Sequence, residues 1–124
     1  MRLQSATSAI TEMIVHLLRV KSGRGPTKAS TSISSDLAIV TLGECVTTFE
    51  RMLADQGQGD AAMRLRSALH EGIRAEAVAA VEEITGRHVV AYLAAQEHDP
   101  DVAIIAFYFE RPARVNGHVS GTER

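Results

Sequence analysis

A chain of 124 residues with 45% hydrophobic and 23% charged residues has the size and composition of a single globular domain with a buried core, and lacks the signature of a disordered segment. A formal net charge of -2, with three Phe, two Tyr and no Trp, argues against a generally basic or base-stacking surface, so no nucleic-acid partner is expected. The single cysteine, Cys45, rules out an intramolecular disulfide and a multi-cysteine metal site, and no apolar run approaches the ~20 residues that cross a bilayer.

From the N-terminus, Ile10, Met13, Ile14, Leu17 and Leu18 recur at helical spacing and predict an amphipathic helix from about Ser5 to Val20. Their spacing is unlike the continuous core of a signal peptide, which makes a cytoplasmic location the expectation, with any membrane role peripheral. Lys21, Gly23 and Pro26 supply a helix C-terminus, a left-handed cap and a stop. The Ser- and Thr-rich stretch Thr27 to Ile33 reads as an exposed edge strand, Ser34 to Asp36 as a turn, and the apolar run Leu37 to Leu42 as a buried strand, giving a first hairpin. Thr47 and Glu50 form a capping box ahead of a short helix running to about Gln56.

After Gly57 and Gly59, with Asp60 as a cap, Leu65, Leu69, Ile73, Ala77, Val81 and Ile84 predict one helix from Ala61 to Thr85, ~37 Å long at 1.5 Å per residue. Gly86 ends it. His88 to Ala94 and Val102 to Glu110 are rich in strand formers and flank an acidic turn, a second hairpin. The order αββααββ predicts an α+β domain over residues 1–110, a four-stranded and mostly antiparallel sheet covered by helices on one face, with a flexible tail at 111–124. The edge strand at 27 to 33 and the long helix both offer surfaces for a homodimer.

No catalytic constellation emerges, so a non-enzymatic protein without a cofactor is expected. The five histidines lack metal-motif spacing, and His70-Glu71 reads as a solvated helix face. Cys45 lacks a nucleophile signature and reads as a small buried side chain. Glu97, Asp99 and Asp101 lack the glycine and bidentate glutamate of a calcium loop and read as a hydrated turn. The most distinctive stretch is Lys21 to Lys28, where Lys21, Arg24 and Lys28 accompany Gly23 and Gly25. Such a loop can grip a phosphate, nucleotide, carboxylate or lipid headgroup, or the glycines can shape a turn whose cations are solvated. It is not a Walker loop, because the Gly-Lys-Ser/Thr ending is missing. Arg64 and Arg66 form a second basic element whose members point to different helix faces. Lys21, Arg24, Gly25, Lys28, Arg64 and Arg66 are therefore the candidate contacts for an anion or a partner.

Gly23-Arg24-Gly25-Pro26, the strand at 37 to 42, Thr47-x-x-Glu50-Arg51-x-Leu53, Arg64-x-Arg66-x-x-Leu69, Ile84-Thr85-Gly86-Arg87 and Ile105-x-Phe107 occur in an order and spacing that resembles the MpsC family, over about Thr7 to Glu110. The family is named for a sodium-translocating membrane-potential-generating system. Two positions depart from its pattern: Gly43-Glu44 stands where an acidic residue followed by glycine is usual, and Thr48 replaces a proline. The resemblance implies a bacterial cytosolic protein linked to a membrane transporter. That transporter pairs a subunit similar to the membrane subunits of proton-pumping NADH dehydrogenases with a large zinc-containing soluble subunit, and it is associated with cation flux and inorganic-carbon uptake. The resemblance carries no catalytic residue. Two functions follow as expectations: an accessory or regulatory subunit docking on such a complex, or a sensor whose 21 to 28 loop binds a phosphorylated metabolite or nucleotide.

Overall fold

Ile10, Ile14 and Leu18, four residues apart, are fully buried, and the helix that carries them, α1, spans Leu3–Ser22. The computed structural model describes residues 3–111, so the tail expected at 111–124 lies outside the described residues except for Arg111. α1 ends as its sequence demands: Gly23 has φ +83° and its amide bonds the Arg19 carbonyl at 2.9 Å.

Strands β1 (Lys28–Ile33) and β2 (Leu37–Gly43) form the first hairpin, and β3 (Val89–His98) and β4 (Asp101–Phe109) the second. The two hairpins join through β2 and β4 into an antiparallel sheet of order β1-β2-β4-β3, so the polar strand β1 lies at an edge, as its composition requires. Alternation then sorts the side chains. Ala38, Val40 and Leu42 on β2 and Ala103, Ile105, Phe107 and Phe109 on β4 are buried with Ile10, Ile14, Leu18, Ile73, Ala77 and Val81 from the helices. Tyr92 meets Phe107 edge-on, with ring centroids 5.5 Å apart.

Helix α2 (Thr48–Asp55) follows the connection out of β2. The helix expected at 61 to 85 is two: α3 (Gly59–Gly72) and α4 (Arg74–Thr85), separated by Ile73 at φ -95° and ψ -3°. Gly72 costs a helix interior about 1 kcal/mol relative to Ala and weakens the path there, while Ile73 is driven fully into the core. The inward face of α3 also differs from expectation. Ala62, Arg66 and His70 are buried, whereas Leu65 is 44% exposed. Asp60 does not cap α3: Gln58 holds that position without a side-chain bond, and Asp60 sits in the first turn, where its charge suits the helix N-terminus.

Candidate functional site

β2 leaves the sheet at Gly43, and the short connection from Glu44 to Thr47 carries the chain into α2. Beyond the sheet most of its backbone polar groups need partners outside a strand ladder. Asp101, at the first position of β4, supplies two: its Oδ1 accepts the Cys45 amide at 3.1 Å and its Oδ2 the Val46 amide at 3.0 Å. Its own carbonyl accepts the Glu44 amide at 3.3 Å. Asp101 is thus a clamp between the tip of the second hairpin and the entry to α2, not a member of a hydrated turn.

The loop at 21 to 28 meets the same connection from the other side. Arg24 Nη2 donates to the Glu44 carbonyl at 2.9 Å, Lys28 Nζ lies 3.4 Å from Glu44 Oε2, and the Thr27 hydroxyl donates to Glu44 Oε1. Thr27 and then Lys28 hold the Glu44 carboxyl below the usual carboxylate range. The anion gathered by this loop is therefore the chain's own Glu44, held at φ +58°. Lys21 points elsewhere, 3.3 Å from Glu76, and Gly25 lies where a Cβ would come within 3.4 Å of Arg19 and the Val15 carbonyl. The loop's three cations do not converge on an open position.

Arg64 is exposed, but Arg66 is 2% exposed and belongs to the interior. Its Nε donates to Glu50 Oε2 at 2.8 Å, and its Nη2 to Glu50 Oε1 at 2.5 Å and to the Cys45 carbonyl at 2.7 Å. This fork ties α3 to α2 and to the connection. Glu50 serves twice, since its Oε1 also accepts the Thr47 amide at 2.8 Å in the capping box, whose other half runs from the Glu50 amide to the Thr47 hydroxyl at 3.1 Å. Burial would raise the Glu50 pKa, but the bonds from Arg66 and Thr47 outweigh it and bring it down to about 2. Thr47→Ala removes one half of the box and is expected to destabilise the fold by about 1 kcal/mol in urea unfolding; an unchanged midpoint would mean that Arg66 alone holds α2 in place.

Around this pair lie further polar groups. His98 Nε2 sits 3.7 Å from Glu50 Oε2. His70, expected on a solvated face, is buried; burial and then the nearby Arg66 cation lower its pKa, which keeps its ring neutral. The His70 carbonyl accepts the Tyr92 hydroxyl at 2.7 Å, and burial and Glu71 push that phenol up to about 12. Cys45 is buried, as its surroundings in sequence imply, and desolvation raises its thiol pKa, the opposite of an activated nucleophile. Among the described residues no group of three or more His, Cys, Asp and Glu side chains could hold a metal ion.

Beside the Arg66–Glu50 pair a groove of about 400 Å³ opens between α1, α2 and α3, lined by Lys21, Thr47, Phe49, Leu65, Arg66 and Leu69 among others. Phe49 is 55% and Leu65 44% exposed, so two large apolar side chains stand at its rim, with Lys21 bringing a positive charge. Of the residues singled out from the sequence, the structure brings Lys21 and Arg66 to this groove and Arg24 and Lys28 to Glu44. From the sequence Glu44 and His98 are not singled out, and Asp101 and His70 read as solvated groups, whereas Asp101 binds the Cys45 and Val46 amides and His70 is buried. One signal was present for the pair's burial: Ala62, Arg66 and His70 continue, at four-residue spacing, the inward stripe of Ile73, Ala77 and Val81.

The 23 to 26 loop, the capping box and the Arg64-x-Arg66 pair all lie within one stretch that a known family matches. The family described as "Na+-translocating membrane potential-generating system (MpsC)" matches residues 3–111. The chain belongs to the MpsC family. No curated protein and no solved structure matches it. Membership associates the chain, through the family's description, with a membrane-potential-generating system, and no helix among its described residues is long and apolar enough to cross a membrane. In MpsC terms, several of the motifs that carry the resemblance meet at the Glu44–Thr47 connection and at the Arg66–Glu50 pair beneath it.

Proposed function

We propose that this protein is a non-enzymatic accessory or regulatory subunit that docks from the cytoplasm on a bacterial membrane system moving cations or inorganic carbon. The observation that carries this reading is the family match over residues 3–111, in a chain whose described helices do not span a bilayer. The groove between α1, α2 and α3 supports it. Its apolar rim, Phe49 and Leu65, with Met52 exposed at 43% one helical turn beyond Phe49, has the form of a pocket for an apolar anchor side chain. The exposed Arg64, beside Leu65 on α3, adds a positive charge suited to an acidic partner segment. The sensor alternative finds Arg24 and Lys28 engaged by Glu44 and Lys21 by Glu76, so the docking role is the reading favoured here.

Capture from a native membrane extract tests it. The chain is expected to recover integral membrane subunits of a transport complex, and a Phe49→Asp, Leu65→Asp variant, altered only at exposed positions, is expected to recover at least roughly tenfold less. Recovery of soluble proteins alone would refute the docking role. Equal recovery by the variant would move the docking surface away from this groove.

A further inference from the structure

The helices that meet the sheet, α1, α3 and α4, pack on one side of it, around Ala38, Val40, Leu42, Ile105 and Phe107, and no described helix covers the opposite side. The strand register lays that side out in rows. Ser32, Ile39, Ala106 and Leu93 form one row across β1, β2, β4 and β3; Ser30, Thr41, Ile104 and Ala95 form the next. Leu37, Tyr108 and Ala91 flank them at one end, and Lys28, Gly43, Val102 and Glu97 close the other. Leu93 is 64% exposed, Ile104 46% and Tyr108 38%. An apolar face of this kind on a sheet marks a contact surface.

The charges on the face identify its partner. Three rows carry none. The fourth carries a cation, Lys28, on the β1 edge and an anion, Glu97, on the β3 edge, at opposite ends of the same row. A two-fold axis lying along the strands between β2 and β4 superposes β1 of one copy on β3 of the other. Under that operation Lys28 of each copy faces Glu97 of its mate, at both sides of the interface, while the uncharged rows close on each other. Opposite charges at opposite edges of one row are complementary to their own two-fold image. Within one copy Lys28 pairs with Glu44 at 3.4 Å, but both side chains are solvent-exposed, 75% and 53%, so the pair is weak and Lys28 can exchange it for Glu97 of the mate.

We infer that the outer face of the sheet is the interface of a homodimer, two copies packing face to face with their strands nearly aligned, as stacked sheets do at ~10 Å separation. Four strands ~4.8 Å apart, each contributing ~6 residues at ~3.3 Å rise, make a face roughly 19 by 20 Å. Two such faces bury roughly 800 Å², less than the ~1,000 Å² of a stable specific interface, which is the size of a weak association that depends on concentration.

Analytical ultracentrifugation of the full chain from about 1 to 100 µM tests this, with circular dichroism to verify that each variant folds. The chain is expected to pass from monomer to dimer over that range. Ile104→Asp and Leu93→Asp, both at exposed positions, are expected to remain monomeric. Lys28→Glu is expected to weaken the dimer about tenfold, and adding Glu97→Lys to restore it, since the reversed charges meet again across the axis. A monomer at every concentration, or a dimer that survives Ile104→Asp, overturns the proposal. Failure of the second charge reversal to rescue the first overturns the strand-parallel axis. Loss of membrane capture by folded Ile104→Asp, with no dimer formed by the unaltered chain, would assign the face to a membrane subunit instead.

Discussion

Arg66→Ala is expected to destabilise the protein by about 3 to 5 kcal/mol, because it leaves the buried Glu50 carboxylate without its counter-charge. For a chain of 124 residues that loss lowers the melting temperature by roughly 10 °C or more. Replacing both partners by apolar residues, Arg66→Met with Glu50→Leu, is expected to recover much of the loss, since the desolvation of both charges is then avoided. Arg66→Met, Glu50→Leu, their double variant and the parent form a double-mutant cycle, read by urea unfolding. A single-variant loss below about 1 kcal/mol would show the pair to be solvated and the interior reading wrong.

The same pair sets an acid dependence. The Glu50 carboxyl titrates near 4.5 when unfolded and is brought down to about 2 in the fold. A depressed folded-state pKa means that its contribution is fully present above the unfolded value and is lost as pH falls from about 5 towards 2. The shift corresponds to about 3 kcal/mol. Stability measured by chemical denaturation at stepped pH should therefore decline over that window. Without Arg66 that decline should flatten, because the carboxylate then keeps only its Thr47 bonds and the more distant His98 against the cost of burial. An identical acid limb in Arg66→Ala would assign the dependence to other carboxylates.

Phe107→Ala is expected to cost about 3 to 5 kcal/mol. Phe107 is fully buried on β4, opposite Ala38 on one side and Tyr92 on the other, and Ala38 is too small to fill the void. Ile104, three residues earlier and on the other face, is the control: Ile104→Ala measured on dilute monomer should cost less than about 1 kcal/mol, since its side chain is already 46% exposed. Comparable losses at the two positions would mean that the outer face is covered within the chain itself. The contrast tests the sidedness of the sheet, on which the dimer interface depends.

Much of the fold was readable because its signals are local. The stripe from Ile10 to Leu18, the cap at Gly23, the Ser- and Thr-rich edge strand and the capping box at Thr47 and Glu50 each involve residues a few positions apart, and each took the expected conformation. The break at Ile73 was less legible. A continuous apolar period runs through Gly72, and only packing decides whether a weak point in a helix bends. The candidate site was the least readable part. The basic loop resembled an anion grip because the residue that occupies it, Glu44, lies 17 positions from Thr27 in the chain. Arg66 reads as a surface cation until Glu50, 16 positions away, is placed against it.

By itself the sequence determined that this chain is an α+β domain of the MpsC family, with two hairpins, a polar edge strand, a capped α2 and no apolar run able to cross a bilayer. Helix and strand periods, turn chemistry and motif order are all written within short windows. Only the tertiary structure decided that Arg66 is an interior tie, that Asp101 clamps a connection 55 and 56 positions away, and that no described helix covers the face of the sheet carrying Leu93, Ile104 and Tyr108. The reason is that burial belongs to the assembled layers: the same alternation along β4 places Phe107 in the core and Ile104 in solvent only once the helices have covered one side.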